Sequence, residues 1–245
     1  MKNEPKKLAV SVTSEPPETV ELVCADCGVR FQFTIPPRYF RKYRPERCRV
    51  CSDYHCRLHE QREEFDRRCE SAWWRVEQWH NLCPALYLES DRARFPAAAF
   101  EKIMAWQNGA KGLLIHGVTG HCKTRMAWCL LKRLHFEGAR IMAFDATSFK
   151  HECGSKFYED PRVGAAWIDS LAKSDVLFFD DLGKMKLTET VESELFGLFD
   201  ARFSAMKPVI VTTNFVGVKL NERMTDDRGE PFIRRLREFC ESIAV

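Results

Sequence analysis

The chain has 245 residues, of which 45% are apolar and 30% charged, with a net charge of +3. That balance excludes wholesale disorder, and so small a charge does not by itself indicate a nucleic-acid partner. No run of about 18 uncharged apolar residues occurs, so no membrane-spanning helix is expected. The opening MKNEPKKLAVSVTSEPPE puts charges and prolines where an export signal needs an apolar core, so a cytoplasmic protein is expected. Eleven cysteines in such a chain point to reduced thiols and metal ligands before disulfides.

Residues 1–22 are rich in Pro, Glu, Lys and Ser and read as a flexible tail. Residues 23–56 hold two pairs, Cys24-x-x-Cys27 and Cys48-x-x-Cys51, separated by 20 residues. Four thiolates at this spacing make a closed tetrahedral zinc site, structural rather than catalytic. The alternating FQFTI (31–35) between the pairs reads as a strand, so a zinc ribbon is expected, with Cys56 as a substitute ligand of poorer spacing. A segment so short cannot bury enough core without its metal.

The same module is basic. Within residues 28–51, Arg30, Arg38, Arg41, Lys42, Arg44, Arg47 and Arg49 face one acid, Glu46, and Phe31, Phe33, Tyr39, Phe40 and Tyr43 interleave with them. Cations with aromatics suit single-stranded nucleic acid, by phosphate contact and base stacking, and suit a protein partner equally. Residues 57–84 mix Arg, Glu, Trp and Leu without a breaker until Pro84, and read as a helical linker.

From residue 85 the pattern is an α/β one. GLLIHG (112–117), ARIMAFDA (139–146), SDVLFFDDLG (174–183) and KPVIVTTNF (207–215) are short apolar runs that read as buried strands. Helical spacing fills the gaps. KTRMAWCLLKRLHFEG (123–138) ends on a capping glycine, and Val191, Leu195, Phe199 and Phe203 share one helical face. Strands alternating with helices predict a parallel sheet covered on both faces.

Residues 117–124 read GVTGHCKT, between a predicted strand and a predicted helix. This is the GxxxxGK[ST] phosphate loop with one departure, Cys122 in place of the last glycine. Gly117, Val118, Thr119, Gly120, His121 and Cys122 would wrap phosphates with backbone N–H groups. Lys123 would neutralise the β- and γ-phosphates of ATP, and Thr124 would place its hydroxyl on magnesium. The run VLFFDD then ends a strand on two carboxylates. Asp180 would hold the magnesium, and Asp181 would orient or deprotonate the attacking water.

A phosphate loop, a strand ending DD, a strand ending TTN and RRLREF before a last short strand together resemble the AAA+ ATPases of the DnaC-type helicase loaders and the IstB-type transposition helpers. The resemblance covers roughly residues 85–245. It implies a P-loop ATPase domain that acts as an oligomer on single-stranded DNA and delivers a replicative helicase, or assists a transposase; a nucleotide-binding DNA adaptor that does not turn ATP over is the third reading. It makes Asn214 the sensor of the γ-phosphate. It also implies an arginine finger, Arg235 by spacing with Arg234 as the alternative, that reaches the nucleotide of a neighbouring subunit. Cys122 implies slower hydrolysis, and the short stretch after the last strand implies that the helical lid is missing.

Overall fold

Five short runs between residues 112 and 244 pair into one parallel sheet. The computed structural model describes residues 18–35, 44–224 and 229–245. The chain divides into two units, residues 1–72 and residues 73–245.

In the first unit, β1 (Glu18–Val23) and β2 (Arg30–Ile35) form an antiparallel hairpin in which Val23 faces Arg30. Side chains alternate across so small a sheet, and most remain at least partly exposed. Two strands alone are marginal in water, so another element must stabilise the hairpin. The connection carries Cys24 and Cys27, and its tightness rests on Gly28, at φ +70°, whose amide donates to the Cys24 carbonyl at 2.9 Å. The second cysteine pair begins a helix, α1 (Arg49–Leu82). Of the basic and aromatic residues of this module, Arg38, Tyr39, Phe40, Arg41, Lys42 and Tyr43 lie outside the described residues, as does most of the expected tail.

The second unit contains the end of α1, then α2 (Ala85–Leu88), α3 (Ala97–Ala105), β3 (Gly112–His116), α4 (Lys123–Phe136), β4 (Ile141–Asp145) and α5 (Ala146–Glu159). It continues with α6 (Pro161–Lys173), β5 (Val176–Asp180), α7 (Glu189–Ser204), β6 (Val209–Thr213), α8 (Val218–Asn221), α9 (Gly229–Phe239) and β7 (Cys240–Ala244). The sheet order is β4-β5-β6-β3-β7, and every pairing is parallel.

The central strands β5, β6 and β3 read as nearly unbroken apolar runs because both faces are covered. Leu113, Ile115, Phe178 and Ile210 pack with Ile103, Met126, Leu130 and Trp79 on one face. Leu114, Leu177, Phe179 and Val211 pack with Phe149, Leu171, Leu195 and Phe199 on the other. The expected stripe of α7 is buried along its length, with Phe199 fully enclosed. Helix α4 stops where expected: Gly138, at φ +101°, turns the chain, and the Ala139 amide reaches back to the Leu134 carbonyl at 2.9 Å. These layers bring the C-terminal ends of β3, β5 and β6 side by side, which is where ligands bind in open α/β sheets.

Candidate nucleotide site and metal centre

The loop between β3 and α4 has the backbone that its glycines permit. Gly117 has φ +151°, and a Cβ there would sit 2.0 Å from the Val245 carbonyl oxygen, so no other residue fits. Gly120, at φ +94°, faces open space. Cys122 adopts φ +58°, the left-handed conformation that a glycine would hold without strain. A residue with a Cβ pays about 1–2 kcal/mol there. Cys122 precedes the first turn of α4 without capping it by its side chain, so the first amides of the helix are left for a ligand. Val118, Thr119 and His121 lie exposed on the loop.

Lys123 is only 6% exposed. Its ammonium donates to the carbonyls of Gly117 (3.0 Å) and Val118 (2.9 Å), inside its own loop. Burial pushes its pKa down, against the opposing pull of Asp181 and Asp180. Thr124 follows and donates from Oγ1 to Asp180 Oδ1 at 2.8 Å. The hydroxyl of Thr212, on β6, donates to the same oxygen at 2.5 Å. Burial raises the Asp180 carboxyl, and the hydrogen bonds from Thr212 and Thr124 work against that rise.

Asp181 leaves β5 in a left-handed conformation, φ +52°. Its amide donates to Thr212 Oγ1 at 2.8 Å, and its carboxylate pairs with Lys184 Nζ at 2.9 Å. Asn214 is the first residue past β6, partly exposed, at the same end of the sheet. Arg235 is exposed and paired with Asp200 of α7. Its neighbour Arg234 is also exposed, and with Arg237, Asn221 and Val218 it lines an open groove of about 840 Å³. The geometry therefore brings Lys123, Thr124, Asp180 and Asp181 together and sets Asn214 at the same edge.

The motifs assign no role to three residues near this site. Thr212 belongs to the TTN strand end, of which only Asn214 is given a function by the resemblance. Lys184 contacts Asp181 only because the chain turns sharply, with the Lys184 amide on the Asp181 carbonyl at 3.0 Å. Tyr87 stacks on Trp128 at 6.1 Å with the Arg125 guanidinium over its ring. Burial, then the nearby Asp180 carboxylate, raises its phenol pKa.

In the first unit, the sulfurs of Cys24, Cys27, Cys48 and Cys51 all lie within 4.8 Å of one another, and those of Cys27 and Cys48 are 3.8 Å apart. Tetrahedral zinc, with Zn–S near ~2.3 Å, separates its sulfurs by ~3.8 Å, so the donor set fits that ion in type and spacing. Backbone amides at Cys27 and Cys48 hold the Cys24 thiol down at about 6, whereas the neighbouring thiols of Cys27 and Cys48 push that of Cys51 up. Sulfurs so crowded cannot all ionise without a cation among them. The hairpin turn supplies one pair and the start of α1 the other. Asp26, between the first pair, ties down the second half of the module: it pairs with Arg47 and with His55 Nε2, each at 2.8 Å. Cys56 is exposed and outside the cluster.

No family model matches the chain, and no curated protein matches it. Solved structures do. A structure of DnaI matches with a TM-score of 0.55 at 18% identity, over 66% of this chain and 94% of that one. The DnaC helicase loader matches with a TM-score of 0.52 at 21% identity, over 69% and 98%. AMPPCP-bound DnaA from Aquifex aeolicus matches with a TM-score of 0.52 at 16% identity, over 65% of this chain but only 48% of that one. The chain thus spans about half of the DnaA structure and nearly all of the DnaI and DnaC structures. The shared fold is a parallel five-stranded sheet with helices, like the AAA+ P-loop fold expected from the sequence. Among the described residues, no helix is long and apolar enough to cross a membrane.

Proposed function

We propose that this protein is an ATPase of DNA replication that loads a replicative helicase, contacts single-stranded DNA and works as a homo-oligomer. The observation that carries the nucleotide part is the bond from Thr124 to Asp180, which joins the phosphate loop to the acidic strand end beside a buried lysine. The likeness in fold to the DnaC helicase loader supports the loading role.

The loop fits a triphosphate. Gly117 and Gly120 turn the backbone, the first amides of α4 carry the positive end of the helix dipole, and Lys123 exchanges its two carbonyl partners for phosphate oxygens. Thr124 and Asp180 would hold magnesium, which neutralises charge on the phosphates. Asp181 orients the attacking water once Lys184 releases its carboxylate. Asn214 senses the γ-phosphate, and Arg235 completes the neighbouring subunit's site. Cys24, Cys27, Cys48 and Cys51 would hold zinc as a structural ion, and the basic module around them, with Arg30 and Arg44 exposed, offers contacts for a DNA backbone.

The test is transfer of a purified replicative helicase onto closed circular single-stranded DNA. Transfer is expected with wild-type protein and ATP, and not with Lys123→Ala. Equal transfer without this protein, or with the variant, removes the loader reading.

A further inference from the structure

Thr212 is fully buried, with Thr213 one of two buried polar residues that end the otherwise apolar strand β6. Its position follows from strand register. Phe179 pairs with Val211, so the next step along each parallel strand sets Thr212 beside Asp180. Alternation along a strand does the rest. Phe178 and Ile210 face the α4 side of the sheet, so Asp180 and Thr212, two residues on, face the same side. Thr124 comes down from α4 to meet them.

The single hydroxyl of Thr212 is used in both directions. It donates to Asp180 Oδ1 at 2.5 Å and accepts from the Asp181 amide at 2.8 Å. The Thr212 carbonyl accepts from the Leu182 amide, also at 2.8 Å. Asp180 Oδ1 therefore takes two hydroxyl donors, those of Thr124 and Thr212, while Oδ2 receives no hydrogen bond among the described residues. One oxygen of the carboxylate is committed to the protein and the other is turned free. The same hydroxyl holds the amide of Asp181, a residue without glycine's freedom at φ +52°.

We propose that Thr212 is a positioning residue for the magnesium-nucleotide site: it fixes the rotamer of Asp180 so that Oδ2 is presented to the cation, and it locks the turn that aims Asp181. The inference rests on the reading of this site as a nucleotide site. A threonine with a merely structural role would affect folding alone. A positioning role affects the metal-dependent part of nucleotide binding.

The experiment measures binding of the fluorescent nucleotide mant-ATP with magnesium and with EDTA, on the full chain, for wild type, Thr212→Val and Thr212→Ser. Valine keeps the shape and removes the hydroxyl, which takes one donor from Asp180 and the acceptor from Asp181. In Thr212→Val the gain in affinity on adding magnesium should fall roughly tenfold, the scale of a lost hydrogen bond to a charged group. Affinity in EDTA should stay at the wild-type value, and Thr212→Ser should recover the magnesium gain. Thr212→Ala carries the same expectation should the valine variant not fold. A wild-type protein that does not bind mant-ATP overturns the nucleotide reading and this inference together. A wild-type protein that binds it with a magnesium gain shared equally by Thr212→Val overturns the inference alone.

Discussion

Arg235 of α9 is paired with Asp200 of α7 within the same chain, whereas the adjacent Arg234 is free of any ion pair among the described residues and lines the open groove beside α8. Both partners of the Arg235 pair are nearly half exposed, so the pair is weak and open to exchange. If Arg235 serves a neighbouring subunit, Arg235→Ala should bind ATP normally and lose roughly 10³-fold in turnover, the scale of a missing arginine finger. Mixing it with Lys123→Ala should restore part of the activity, because one subunit brings the nucleotide site and the other the arginine. Asp200→Asn should leave turnover intact. A loss confined to Arg234→Ala would move the finger by one residue.

Cys122 sits at φ +58° immediately before the buried Lys123. Cys122→Gly should remove about 1–2 kcal/mol of strain and return about 0.5–1 kcal/mol of it as unfolded-state entropy. A rise in melting temperature of a few degrees is expected, with tighter magnesium-ATP binding because the loop loses a side chain. Cys122→Ala keeps the strain and should do neither. A lower melting temperature for the glycine variant in a thermal scan would show that the cysteine side chain stabilises the loop.

Much of this architecture can be read along the chain. Leu113 to Ile115, Leu177 to Phe179 and Val209 to Val211 are contiguous apolar triplets, and a strand buried on both faces requires that. Lys123 and Asp180 belong to local motifs with chemical reasons for their spacing. The pairing of Thr212 with Asp180 is different. It depends on which strands become neighbours, and β6 inserts between β5 and β3 in a way that no local pattern encodes. The same holds for the pairing of Arg235 with Asp200, which needs α9 to pack beside α7, and for Tyr87, which reaches the site through Trp128.

Acid and base should narrow the range in which nucleotide binds. Asp180 must be ionised to hold magnesium, and burial raises its pKa. Magnesium-dependent binding should therefore fail on acidification at a pH above the ordinary carboxylate range. Lys123 must be charged, and burial lowers its pKa. Binding should also weaken on alkalinisation before an ordinary lysine would titrate. A titration of mant-ATP affinity from about pH 4 to about pH 10 checks both arms. A flat profile down to the ordinary carboxylate range contradicts the role given to Asp180.

The four-cysteine centre should carry one zinc per chain by elemental analysis. Cys51→Ser should lose the metal and the β1–β2 hairpin, seen as lost amide protection, because two strands cannot hold themselves together. Nucleotide binding should persist, since the second unit has its own core. A metal-free protein with a protected hairpin would refute the assignment.

On the proposed function, the loop at Lys123 and the carboxylates at Asp180 and Asp181 form a working ATPase site. ATP turnover by the purified full chain, with and without single-stranded DNA, tests it most directly, with Asp181→Asn alongside. Magnesium-dependent turnover is expected in the wild type, altered by the DNA, with an Asp181→Asn protein that binds ATP but hydrolyses it at least 100-fold more slowly, roughly the contribution of a positioned general base. Turnover in Asp181→Asn equal to that of the wild type, or no turnover by the wild type with and without the DNA, would contradict it.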